Sequence, residues 1–114
     1  MSHPNKHVIA PPKRFVFRGR SLAFVRSLLG RRAPLASSAL QMALACSGRM
    51  VKDPVIGMVC FWGDTEPGDC GVYVGDGLVL CLDSSGHPRV APLSQVAGKN
   101  FLGACFWPDD IRRI

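Results

Sequence analysis

The sequence predicts an α+β domain in which two N-terminal helices pack on one face of a mostly antiparallel sheet of about five strands. Three observations predict it. Apolar spacing of helical period is confined to the residues before Asp53-Pro54. Beyond that dipeptide the pattern changes to short runs rich in Val, Leu, Cys and aromatic residues, as extended chain requires. Gly-, Asp- and Pro-containing turns separate those runs; links so short make hairpins, and hairpins make antiparallel neighbours. A chain of 114 residues, 47% of them apolar, can bury one such core.

The elements follow in order. Residues 1–14 are polar, contain Pro4, Pro11 and Pro12, and read as a flexible basic arm; residues 15–114 form the single domain. "FVF" at 15–17 suits an extended segment laid on that domain. "SLAFVRSLLG" reads as a short helix with Leu22, Val25 and Leu29 on one face, Ser21 as N-cap and Gly30 as stop. "RRAP" turns the chain. "LASSALQMALACSG" gives a second helix capped by Ser37 or Ser38 and ended by Gly48, with Leu40, Ala43, Leu44 and Ser47 on one stripe.

"VIGMVCFW" (55–62) then reads as a strand, and "GDTEPG" as a polar turn. "DCGVYV" and "LVLCLD" form a hairpin about Gly75-Asp76-Gly77. If those three residues join Val74 to Leu78, Asp69 falls opposite Asp83 and Gly71 opposite Cys81. Asp69, Tyr73, Cys81 and Asp83 then share one face. "RVAPL" is a short strand that Pro88 and Pro92 restrict to a sheet edge. "FLGACFW" (101–107) is the last strand.

Charge is divided unevenly. Residues 1–52 carry ten Lys or Arg and no acid, whereas residues 53–114 carry four basic and eight acidic residues, so +10 and −4 make the net +6. The basic half either meets an anionic polymer or partner, through Lys13, Arg14, Arg18 and Arg20 among others, or forms a solvated face that attracts the acidic half. No apolar run approaches the ~18–20 residues of a membrane span. The N-terminus lacks the apolar stretch of a signal peptide, so the expectation is a chain that is cytoplasmic when synthesised. The five cysteines, at 46, 60, 70, 81 and 105, show no zinc or redox spacing. Most lie among Val, Leu and Phe, where a thiol serves as a small hydrophobe.

Several words of the sequence occur in a familiar order. "GRSLAFVRSLLG" is followed by "SSALQMALA", "IGMVCFW", "GDCGVYVGDG" and "FLGACFWP". Over residues 18–108 this order resembles the papain-like cell-wall hydrolases of the NlpC and CHAP type, in forms encoded by actinobacteria and their phages. In that family a cysteine opens the first helix and the hairpin word is Gly-His-Val-Gly-x-Tyr-x-Gly-x-Gly. Ser21 stands where the resemblance expects the catalytic cysteine, and Asp69 where it expects the histidine. Cys70 takes the valine position, and Cys81 falls at the third polar position with Asp83 two residues on. The resemblance implies a peptidoglycan amidase or endopeptidase ancestry, with peptidoglycan or a protein partner as ligand and no cofactor. It also implies virion association or release to the cell wall after synthesis.

The substitutions decide the expected chemistry. In such enzymes a helix N-terminus and an imidazole hold a thiolate that attacks an amide, and the imidazole then protonates the leaving amine. A serine hydroxyl hardly ionises at neutral pH, and a carboxylate is a weak base that rarely holds a proton to return. The resemblance therefore leads to a non-catalytic homologue acting as a binding, scaffolding or phage structural module. The alternatives are an active hydrolase with a remodelled site or an inactivating Cys-to-Ser change, and an anionic-polymer binder. Cys81 is a displaced nucleophile only if His87 folds over the sheet to serve it. Asp69 and Asp83, with Asp64 or Glu66, could hold a hard cation through carboxylate oxygens, but turn acids are more often plain solvated residues, and no metal is expected. Cys46 sits late on the second helix and reads as core. Trp62, Tyr73 and Trp107 either pack in the interior or line a groove that takes sugar or peptide.

Overall fold

The computed structural model describes residues 21–30 and 38–108. The readings for the arm 1–14, for Lys13, Arg14, Arg18 and Arg20, for "FVF" and "RRAP" and for Ser37 fall outside those residues. Helix α1 (Ser21–Leu29) buries Leu22, Phe24 and Val25. Helix α2 (Ala39–Ala45) is capped by Ser38, whose side-chain oxygen accepts the Gln41 N–H at 3.2 Å. That bond satisfies one of the donors a helix start leaves orphaned. The helix ends at Cys46 rather than Gly48 and runs into a 3₁₀ turn, Ser47–Arg49.

The buried stripe of α2 is Ala39, Met42 and Ala43, continued by Cys46. The stripe expected from hydrophobicity alone, Leu40, Ala43, Leu44 and Ser47, instead borders an apolar cleft of about 320 Å³, with Leu44 66% exposed. Met42, flanked by Ala39 and Ala43, is the large side chain that this helix buries, and Leu44 is turned aside.

Five strands follow: β1 (Val59–Trp62), β2 (Asp69–Gly75), β3 (Leu78–Leu82), β4 (Pro88–Pro92) and β5 (Phe101–Cys105). They form one sheet in the order β4-β3-β2-β1-β5, and every pairing is antiparallel. β1 starts four residues later than expected because Val55 to Met58 form a turn closed by the Met58 N–H on the Val55 carbonyl. The proline-bounded strand β4 lies at a sheet edge, as its sequence predicts. At the tip of the β2–β3 hairpin, Asp76 and Gly77 both have positive φ, 54° and 76°. These are the primed-turn values that match strand twist and that glycine adopts without cost.

A third helix, α3 (Leu93–Ala97), stands between β4 and β5. It corrects the expectation that both helices are N-terminal and that helices cover one face only. Helix α1 lies on β2 and β3, and α2 on β1 and β2. Together they enclose Val59, Phe61, Cys70, Val72 and Leu80. Helix α3 places Ala97, Leu93 and Val96 against the opposite face, with Cys60, Trp62, Val79, Cys81 and Ala104. The alternation Val59, Cys60, Phe61, Trp62 thus feeds two interiors, which is why all four residues of β1 are buried. No helix among the described residues is long and apolar enough to cross a membrane.

Candidate functional site

The first residue of α1 meets the first residues of β2. The Cys70 thiol donates to Ser21 Oγ at 3.7 Å, and the Ser21 hydroxyl donates to the Asp69 carboxylate. Asp69 Oδ1 also accepts the Cys70 backbone N–H at 3.0 Å. The two positions that the family resemblance pairs, Ser21 and Asp69, are therefore in contact. Among the described residues the hydroxyl's partners are a carboxylate and a thiol, with no imidazole. The hydroxyl expected to cap α1 is engaged in this relay.

The electrostatics follow from burial. Asp69 is half-buried, and loss of hydration holds its carboxyl above the usual carboxylate range, although hydrogen bonds from Ser21 and the Cys70 N–H pull it back. Burial also pushes the fully enclosed Cys70 thiol up. Cys60 and Cys105 are pushed up to about 12 by burial, with a neighbouring thiol adding to it. Cys81 is raised by burial against the opposing pull of Arg89. All five cysteines are free and buried, and at Cys60, Cys70, Cys81 and Cys105 burial disfavours the thiolate that a nucleophile needs. Cys46, at the end of α2, belongs to that interior. Ser21 is only 7% exposed, so its oxygen offers an incoming carbonyl little surface.

Below this contact the sheet carries a polar cleft of about 350 Å³ lined by Trp62, Asp69, Leu82, Asp83, Ser84, Arg89, Gln95 and Val96. The β2–β3 register pairs Val72 with Leu80 and Tyr73 with Val79, then shifts before Gly75, which pairs with Leu78, so the loop is the two residues Asp76-Gly77 rather than the expected three; Asp69 and Asp83 both line the cleft. Gly71 admits this packing because a Cβ there would lie 2.8 Å from the Leu80 carbonyl oxygen, 3.0 Å from Cys81 Cβ and 3.2 Å from Trp62 Cη2. Asp83 Oδ1 accepts the backbone N–H groups of Ser85 at 2.8 Å and His87 at 3.0 Å. The His87 N–H leads the causes that hold the Asp83 carboxyl below the usual range.

Tyr73 shares an apolar cluster with Cys81 and Trp62, yet it lines a different cleft, with Lys52 and Phe101. Its hydroxyl oxygen accepts the Gly77 N–H at 2.8 Å and so braces the hairpin tip. Trp62 and Trp107 are buried. His87 is exposed on the β3–β4 turn, where its backbone pairs with Asp83. Asp64 stands in the apolar cleft beside α2, away from Asp69. Among the described residues no three His, Cys, Asp or Glu side chains form a group able to hold a metal ion.

Sequence reasoning missed Arg89, Gln95 and Val96 as lining residues. Arg89 was accessible through its register opposite Cys81; Gln95 and Val96 were not, because α3 itself was unforeseen. No family model matches the chain, and no curated protein matches it.

Proposed function

We propose that the chain is a non-catalytic relative of papain-like peptidoglycan amidases and endopeptidases, retaining the cleft as a binding or scaffolding surface, for instance in a phage particle. One observation carries this reading: Ser21 and Asp69, the positions assigned by resemblance to nucleophile and base, touch across the fold with the wrong chemistry in both places. Residues so distant in sequence meet as a dyad would, which favours common descent. A hydroxyl cannot reach the ionisation of a thiol beside a carboxylate base, and the carboxylate holds little proton to give a leaving amine at neutrality. Both halves of the proton cycle fail together, and restoring one alone recovers little.

The test is turnover on purified peptidoglycan. The expected result is no release of stem peptides; release that Ser21→Ala abolishes overturns the reading. Ancestry is tested separately with Ser21→Cys, Asp69→His and Cys70→Val combined, the last restoring the family's valine. Measurable amide cleavage by the folded triple variant supports descent from a hydrolase, and its complete absence counts against it.

A further inference from the structure

The fold sorts its five buried thiols. Cys60 and Cys81 belong to the interior beneath α3, on β1 and β3, with β2 between them. Two strand spacings set their backbones about 9–10 Å apart, beyond the ~7 Å that a disulfide can bridge. Cys70 faces the opposite interior at the start of β2, beside the head of α2, where the Leu40 N–H meets the Pro67 carbonyl. Cys46 stands at the far end of that helix, about two turns away, and β1 separates Cys70 from Cys105 on β5. Cys46 and Cys105 are the pair that the chain brings together. The 3₁₀ turn Ser47–Arg49 folds the backbone towards β5. Met50 lies so close to Gly103 that a Cβ there would come within 2.8 Å of Met50 Cβ. Val51 then exchanges two hydrogen bonds with Ala104, at 2.8 and 2.9 Å. Cys105, the next residue, turns into the interior that holds Cys46, and the two thiols hydrogen-bond to each other.

We infer that Cys46 and Cys105 are a disulfide site, a covalent tie between the end of α2 and the edge strand β5 that closes when the chain folds under oxidising conditions. In the folded, reduced chain the two side chains are 0% and 3% exposed, and burial pushes Cys105 up to about 12. Thiolate is scarce in that state, so the exchange belongs to folding, before the pair is enclosed. The co-reactant is a small-molecule disulfide such as oxidised glutathione. One protein thiolate attacks its S–S bond, which forms a mixed disulfide and releases one glutathione. The second protein thiolate attacks the protein sulfur of that mixed disulfide, which forms the tie and releases the other glutathione. Two electrons and two protons pass from the cysteines to glutathione. The tie joins distant parts of the chain, so it restricts the unfolded state most. It also fixes the apolar cleft in which Leu40, Ala43 and Leu44 of α2 stand beside Met50 and Leu102. The inference goes beyond the non-catalytic reading and does not rest on it.

The experiment unfolds and reduces the full chain, then refolds it in a buffer of oxidised and reduced glutathione, with refolding in dithiothreitol as the reference. Free thiols are counted in denaturant, and peptide mapping identifies the linked cysteines. The reference chain titrates its five thiols. The oxidised chain is expected to titrate two fewer, to be about 2 Da lighter, and to map as Cys46 joined to Cys105. Its Tm rises by roughly 10 °C, and dithiothreitol cancels the rise. Cys46→Ala and Cys105→Ala each keep every remaining thiol free; should either fail to fold, the map of the unaltered chain decides alone. Retention of all five thiols, linkage through Cys60, Cys70 or Cys81, or a Tm that does not rise each overturns the inference.

Discussion

Cys70 Sγ lies 3.7 Å from Ser21 Oγ, a contact that spans 49 positions of the chain. Any experiment that restores a cysteine at the head of α1 must reckon with it. Replacing that oxygen by sulfur sets two thiols side by side in the interior, and thiols so placed close to a disulfide when an oxidant is present. Ser21→Cys treated with glutathione disulfide should titrate two fewer free thiols than its cysteine content, with the loss cancelled by Cys70→Val. A variant that keeps every thiol would show that the side chains cannot approach.

Asp69 and Asp83 should have opposite effects on the pH dependence of stability. The Asp69 carboxyl is raised from 3.8 by burial, so folding favours its protonated form. Its stabilising share is present below 3.8 and disappears as pH rises through the higher folded value. Asp69→Asn, which keeps an acceptor oxygen, should therefore raise Tm at pH 7, with the gap closing on acidification. The Asp83 carboxyl is lowered from 3.8, chiefly by the His87 N–H. Its contribution is present above 3.8 and is lost as pH falls through the lower folded value. Asp83→Asn should lower Tm at pH 7 and converge with the wild type in acid. Thermal melts across pH 3–7 check both signs.

Gly71→Ala should destabilise the fold by roughly 2 kcal/mol, since its methyl group meets the Leu80 carbonyl at 2.8 Å and the close-packed Cys81 and Trp62 side chains. A lower denaturant midpoint at unchanged m would check it. A neutral substitution would mean that the indole over this strand is free to shift.

Ser38→Ala should cost about 1 kcal/mol, because its oxygen serves the Gln41 N–H at the start of α2. Ser38→Asp should recover most of that, and equilibrium unfolding of both variants measures it.

These sites differ in how far the sequence reveals them. The Gly-Asp-Gly tip marks the hairpin, so the pairing of β2 with β3 was readable from one turn; the shift between Tyr73 and Gly75, which shortens the loop to Asp76-Gly77, was not. The Ser21–Asp69 contact was readable only through resemblance, since nothing local to either residue points to the other. Helix α3 was not readable: five residues after Pro92 show too little period to distinguish from a continuing strand. The buried side of α2 was misjudged for a related reason. Side-chain hydrophobicity favoured Leu40 and Leu44, but the helix is turned so that Met42 is the large buried side chain, flanked by Ala39, Ala43 and Cys46.

Strand β4 begins at Pro88 and ends at Pro92 on one margin of the sheet, and β5 on the other margin is bridged by Val51 at Ala104, its fourth residue. A second polypeptide seeking to extend the ladder finds missing amide protons on one flank and an occupied rung on the other. Chains crowded together are thus steered away from open-ended stacking, and whatever assembly they enter must be built from side-chain surfaces.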